Sequence, residues 1–261
     1  MTASDNLRAA ENAAPIHLFD EVDSTNDLAL SAADRQALHG TCWAADHQTK
    51  GRGRREVGGG RRAWFSPRRA NLYMSVLLRP ALDANRASGL TLATAAGVCG
   101  LLREECEVDL WVKWPNDLWV GNKKLGGILS EAVSGPGGLE AVVVGLGINV
   151  NLTAEQVPEE LRQIMTSLQI ETGREFDRMW LLQAIRRRVI EYSARYERGG
   201  YASILEELRA FDRTRGRVVS VLREGAWVEA ISRGISDDGG LRVEVAGELQ
   251  NMLAGEVRFV G

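Results

Sequence analysis

Between Lys50 and Arg69 the chain places Lys50, Arg52, Arg54, Arg55, Arg61, Arg62, Arg68 and Arg69 against the single acid Glu56. The local charge is +7 in a chain whose formal net charge is −3. Glycines interleave the cations, which lets backbone N–H groups approach an anion, while each arginine offers paired donors to phosphate or carboxylate. Three readings fit this segment: a solvated loop, a nucleic-acid arm, or a clamp for the phosphates of a small nucleotide. A nucleic-acid arm normally comes with a wider basic surface or stacking aromatics. The acidic remainder argues against a protein built to coat nucleic acid or an anionic membrane.

Other short runs carry chemistry of their own. Asp23-Ser24-Thr25-Asn26 supplies hydroxyl and amide groups and also reads as a helix cap. Trp64-Phe65-Ser66-Pro67 and Asn71-Leu72-Tyr73 follow the basic segment, and then come Lys113-Trp114-Pro115-Asn116-Asp117 and Lys124-Leu125-Gly126-Gly127-Ile128-Leu129. No GxxxxGK[ST] loop is present, and Gly145-Leu146-Gly147-Ile148-Asn149 lacks the third glycine of a dinucleotide site. It follows the strand-like Val142-Val143-Val144, which suggests a tight turn at a strand end.

The elements that must position these residues can be read from periodicity and punctuation. Residues 1–14 are small and polar and read as a disordered tail. Strands are expected at Ile16–Phe19, Thr41–Ala45, Asn71–Arg79, Asp109–Trp114 and from Leu118, with a hairpin turn at Gly121-Asn122. The sheet continues through Gly126–Val133 and Leu139–Val144. Helices are expected from Ser24, over Ala87–Arg103, Ala154–Met165, Asp177–Arg198 and Ile204–Phe211. Lys50–Arg69 reads as loop. After Thr214 short strands separated by glycines suggest a small β-barrel. This gives a tail over 1–14, a main domain over 15–213 and a small C-terminal domain over 214–261. Cys42, Cys99 and Cys106 form no disulfide or zinc pattern and read as small core residues. The absence of a signal peptide or membrane span predicts a cytoplasmic protein with no membrane partner.

Taken in order, the runs from Ser24 to Asn151, together with the C-terminal Gly234-Ile235-Ser236 to Gly255-Glu256-Val257, closely resemble biotin protein ligase. The resemblance implies an α+β fold: a mixed β-sheet with flanking helices, like a class II aminoacyl-tRNA synthetase, plus an SH3-like C-terminal barrel. It implies activation of biotin with ATP as biotinyl-5'-AMP, then transfer to a lysine of a biotin carboxyl carrier protein domain. Lys124 and Arg54 match the two key cations, one bridging carboxylate and α-phosphate, the other holding the phosphate. Lys123 adjoins Lys124, but the register of the run selects Lys124. Ser24, Thr25, Asn26, Gln48, Gly51, Arg52, Gly126, Gly145 and Gly147 would bind biotin. Arg52, Arg54, Arg55, Trp64, Lys113, Asn116, Asp117, Lys124 and Asn149 would bind ATP or the adenylate. Trp64 would stack on adenine, and Asp117 is the candidate Mg²⁺ contact, since hard cations prefer carboxylate oxygen with phosphate.

Departures from the family pattern are the long Glu56–Ala63 segment, Trp119 for the usual Tyr, and Gly126 where Ala is common. About twenty residues precede the first motif, too few for a three-helix DNA-binding domain, so a ligase without DNA binding is expected. Dimerisation through sheet edges is compatible with the family. The competing functions are a lipoate ligase-like acyltransferase of the same fold and a nucleic-acid-binding module.

Overall fold

A computed structural model describes residues 14–33, 37–55, 60–223 and 225–259, without the side chains of Arg55 and Arg61. In chain order the elements are β1 (Ile16–Phe19), α1 (Thr25–Ala33), β2 (Cys42–Ala45), β3 (Arg52–Arg55), β4 (Arg61–Ala63) and β5 (Leu72–Leu78). Next come α2 (Gly89–Cys106), β6 (Leu110–Lys113), β7 (Asp117–Val120), β8 (Lys123–Gly135) and β9 (Gly138–Ile148). Then follow α3 (Leu168–Thr172), α4 (Arg178–Gly199), α5 (Leu205–Phe211), β10 (Val218–Arg223), β11 (Ala226–Ile235), β12 (Leu241–Val245), β13 (Glu248–Met252) and β14 (Val257–Phe259).

Seven strands form one sheet in the order β1-β2-β5-β9-β8-β7-β6, with β1 and β2 parallel and the other pairs antiparallel. A strand alternates its side chains between two faces. In β5 and β9, Leu72, Met74, Val76, Leu78, Val142, Val144, Leu146 and Ile148 join the main core, which also takes in buried residues of α2 and α4. Leu77, Ala141 and Val143, in the opposite phase, pack with Ala29 and Ala33 of α1 and with Trp43. The sheet is therefore covered by two long helices on one side and by one short helix on the other. The N-terminal end of that second face carries the site.

The C-terminal strands form a five-stranded antiparallel sheet in the order β13-β12-β11-β10-β14. Val219, Val221, Ala230, Ile235, Leu241, Val243 and Val257 belong to the same apolar cluster as the main core. Trp114 Nε1 donates to Gly239 O at 3.0 Å across the junction. The mixed sheet with helices and the small C-terminal sheet are the fold class expected from the sequence. The three cysteines are free and buried, and burial pushes the Cys42 and Cys99 thiols up to about 12. Among the described residues no helix is long and apolar enough to cross a membrane.

Three expectations change. Within Lys50–Arg69, β3 and β4 pair as an antiparallel ribbon rather than forming a plain loop. Residues 56–59 and, except for Ala14, the expected tail lie outside the described residues. Ala154–Met165 contains turns and a 3-10 helix at Glu159–Leu161, with no α-helix. Pro158 cannot donate a helical hydrogen bond, and it disfavours helical backbone at Val157. The segment is held instead by Lys124, whose N–H donates to Ile164 O and whose carbonyl accepts from Thr166 N, both at 2.9 Å. Finally, Gly145 and Gly147 lie inside β9, not at a turn beyond it.

Candidate active site

The floor of the site is a patch of sheet almost without side chains. Register places Ser75 opposite Gly145 and Tyr73 opposite Gly147 across β5 and β9, and Gly127 and Leu129 opposite Gly147 and Gly145 across β8 and β9. All share the face that carries α1. The glycines open a cavity of about 290 Å³ there. Two lining side chains come down close to the floor: a methyl group at Gly147 would lie 2.5 Å from the Trp64 indole, and one at Gly145 would collide with Asn26 Oδ1. Both glycines are required by close approach of a side chain, since their φ angles are ordinary.

One end of the cavity is polar, and its charges are paired with one another. The start of α1 delivers Ser24, Thr25 and Asn26, all buried. Gln48 Oε1 accepts from Thr25 N at 2.9 Å and lies 3.2 Å from Thr25 Oγ1. Asn26 Nδ2 donates to Glu131 Oε2 at 2.8 Å. Arg52 leans across this end, donating to Ser24 Oγ at 3.1 Å, to Asp27 at 2.7 Å and to Glu131 at 3.0 Å. Hydroxyl and amide groups beside apolar walls suit a neutral ligand with both donors and acceptors.

The other end is cationic. Lys124 Nζ lies 2.7 Å from Asp117 Oδ1 and 5.2 Å from the Trp64 ring centre. Arg54 reaches over from β3, where its guanidinium donates to Gly255 O at 3.1 Å. Burial lowers its pKa, against the pull of Asp117 and Glu256. Arg62 pairs with Glu256 at 3.0 Å, so the last loop of the C-terminal sheet touches the basic ribbon beside the site. Two half-buried cations on one cavity wall are suited to neutralising an oxyanion or phosphate.

The structure brings Ser24, Thr25, Asn26, Gln48, Arg52, Arg54, Trp64, Asn116, Asp117, Lys124, Gly145, Gly147 and Asn149 to the cavity wall. Asn116 and Asn149 are tied into the frame: Asn116 Nδ2 donates to Ile128 O and Asn149 Nδ2 to Thr166 O, each at 2.8 Å, and Asn149 Oδ1 accepts from Asn71 at 3.2 Å. Gly51, Gly126 and Lys113 are not wall residues. Gly51 supports Gln48 and Ser66, and Gly126 lets β8 lie close to Gly147 O and Ile148. Lys113 is caged between Trp119, 4.2 Å from the ring centre, and Phe259 at 5.6 Å. Burial pushes it down to about 8; Asp117 opposes this, while Lys124, Arg62 and Arg258 add to it. The side chain of Arg55 lies outside the described residues.

Sequence reasoning missed Glu131, Glu256 and the wall formed by Leu161, Ile164 and Met165. Pro158 was the available sign that the last of these is not helical. Glu131 and Glu256 had no local signal, because their partners are remote in sequence.

The Biotin/lipoate A/B protein ligase family matches residues 18–149. The chain is 36% identical over 166 residues to the bifunctional ligase/repressor BirA of Bacillus spizizenii, covering 64% of this chain and 50% of that protein. It thus spans about half the length of the BirA relatives from Bacillus. It is 32% identical to the biotin--[acetyl-CoA-carboxylase] ligase of Mycobacterium tuberculosis, over 91% of this chain and 86% of that one. The biotin protein ligase from Aquifex aeolicus, solved in complex with biotin and ATP, superposes with a TM-score of 0.79 at 30% identity, covering 93% of this chain and 97% of that chain. This chain belongs to the Biotin/lipoate A/B protein ligase family and, within it, to the biotin protein ligases.

Proposed function

We propose that this chain joins biotin to ATP as biotinyl-5'-AMP and then transfers the biotinyl group to a lysine of a biotin carboxyl carrier domain. The observation that carries this reading is a single cavity with a hydrogen-bonding end and a cationic end, joined by a glycine floor. Biotin has the matching layout: a ureido ring, an apolar body and a carboxylate tail. Thr25, Ser24 and Gln48 take the ring, the backbone of Gly145 and Gly147 flanks the chain, and the tail reaches Lys124.

In the first step a carboxylate oxygen attacks the α-phosphorus of ATP. The bond from that phosphorus to the bridging oxygen breaks, and pyrophosphate leaves with the electron pair. Lys124 neutralises both the carboxylate and the α-phosphoryl oxygens, and Arg54 holds the phosphate. In the second step the neutral lysine amine attacks the carbonyl of the mixed anhydride. AMP leaves, the amide forms, and the amine proton passes to solvent. No covalent enzyme intermediate is needed, so the chain contributes position and charge.

Asp117 fits Mg²⁺ only as an auxiliary. Hard dications take six or more oxygens, whereas Asp117 is already paired with Lys124. Among the described residues no group of three metal-binding side chains exists. Mg²⁺ therefore enters on the nucleotide phosphates, as part of the substrate.

The test is biotin-dependent exchange of pyrophosphate into ATP, followed by labelling of a carrier domain. Exchange with biotin and not with lipoate supports the reading. Exchange with lipoate alone would move the chain to the acyl-lipoate branch.

A further inference from the structure

Ser75 is fully buried in β5 and is not part of the cavity wall, yet it bonds two polar side chains that line the cavity. Its neighbours in the same phase of β5 are Tyr73 and Leu77, so the strand places one hydroxyl under α1 where an apolar residue would otherwise pack. A buried hydroxyl needs partners, and those of Ser75 are Asn26 Oδ1 at 2.6 Å and Thr25 Oγ1 at 2.8 Å.

Counting hydrogens fixes the direction of these bonds. An amide oxygen only accepts, so the one hydrogen of Ser75 goes to Asn26. The Asn26 amide cannot be turned round, because its NH₂ faces the Glu131 carboxylate at 2.8 Å and Leu129 O at 3.5 Å, and both only accept. The contact between Ser75 and Thr25 must then use the Thr25 hydrogen. The other acceptor near that hydroxyl, Gln48 Oε1 at 3.2 Å, is also protein. In either case the Thr25 hydrogen points into the wall and its oxygen presents a lone pair to the cavity. Gly145 completes the device, since any side chain there would displace Asn26 Oδ1.

We propose that Ser75 is a positioning residue that holds Thr25 as a hydrogen-bond acceptor, so that this end of the cavity selects a ligand edge carrying N–H donors. The ureido edge of biotin is such an edge, and the inference rests on the function proposed above. Without Ser75 the Thr25 hydrogen keeps only the longer contact to Gln48 Oε1 at 3.2 Å, the hydroxyl turns more easily to donate, and discrimination in favour of N–H relaxes.

The experiment uses the full chain and two variants, Ser75→Ala and Ser75→Cys, the latter keeping a side chain of similar size with a weak donor. Calorimetry compares biotin with biotin methylated on one ureido nitrogen, using each regioisomer. The added bulk is the same for every protein, so the ratio of affinities isolates the donor. The wild-type preference for biotin should fall about tenfold in Ser75→Ala, the worth of one hydrogen bond, with Ser75→Cys between. In pyrophosphate exchange KM for biotin should rise about tenfold while kcat and KM for ATP stay unchanged. An unchanged preference, or equal losses for biotin and ATP, would overturn the role of Ser75. If Ser75→Ala does not fold, Ser75→Cys decides, and a wild-type preference there overturns it. Failure of the wild-type chain to bind biotin at all would instead strike the function itself.

Discussion

Lys123 and Lys124 are adjacent in sequence, and the structure separates them by environment. Lys124 lies on the cavity wall with its ammonium on Asp117 and under Trp64, whereas Lys123 starts the strand outside the wall. Lys124→Ala should lower pyrophosphate exchange by about 10²–10³, the usual cost of removing a group aimed at developing charge. Lys123→Ala should leave exchange within about twofold of wild type; the reverse pattern in the same assay would reassign the catalytic cation. A second substitution tests the floor. Gly147→Ala places a methyl group 2.5 Å from the Trp64 indole, so the ring must move. KM for biotin and ATP should both rise about tenfold or more because the displaced ring no longer lines the cavity, and the melting temperature should fall by several degrees, since overpacking commonly costs about 1–3 kcal/mol; unchanged KM values would show that the ring position is unimportant. The cations and small polar residues were legible in the sequence because they sit in compact runs. Ser75 and Glu131 were not. Neither sits in a motif, and the Asn26 partner of each is 49 or 105 positions away.

At the scale of elements, the strands and long helices followed from apolar periodicity, and even the Gly121 turn was recognisable because glycine there adopts φ of 53°. The basic segment was harder. A ribbon of arginines and glycines has no apolar alternation to announce pairing, and here the partners come from elsewhere: Gly255 O for Arg54 and Glu256 for Arg62. The Ala154–Met165 segment misled for the opposite reason. Leu161, Ile164 and Met165 repeat at helical spacing, but they serve as a wall pinned by the backbone of Lys124. The ribbon gives a prediction of its own. Arg62 is exposed and its ion pair with Glu256 contributes little in water, so trypsin should cut between residues 50 and 62 in the free protein. Biotin with ATP should slow that cleavage at least about tenfold, because the adenylate phosphate would recruit the same arginines. Equal rates with adenylate bound, read by mass spectrometry of the fragments, would mean that the ribbon does not close on the ligand.

The seven-stranded and five-stranded sheets share one apolar core, and Lys113 is a half-buried cation at their junction. Its folded pKa of about 8 lies below the ordinary lysine value of 10.5, so the unfolded chain holds more protons between those limits. Stability should therefore rise as pH increases from about 8 to 10.5, with the penalty fully present below 8. Lys113→Met should raise the melting temperature at pH 7 and flatten this rise; a parallel pH profile in thermal melts would remove Lys113 as its source. Truncation after Arg213 is a harsher test. It strips Val219, Val221, Leu241, Val243 and Val257 from the common cluster and leaves Trp114 Nε1 without Gly239 O. The shortened chain should lose its cooperative thermal transition rather than persist as a weaker enzyme, and a sharp melt near the wild-type temperature would show that the main sheet stands alone. The glycine floor carries one more implication. Beside Trp64 and Asn26, which reach over these glycines, the patch leaves a cavity of about 290 Å³ to be supplied from outside. A bound small molecule would then act as a removable piece of the core, and its concentration would enter the folding equilibrium. At a hundred times its dissociation constant such a ligand adds about 2.7 kcal/mol to stability. The melting temperature should climb with the logarithm of biotin concentration, making resistance to unfolding a gauge of how much ligand is present.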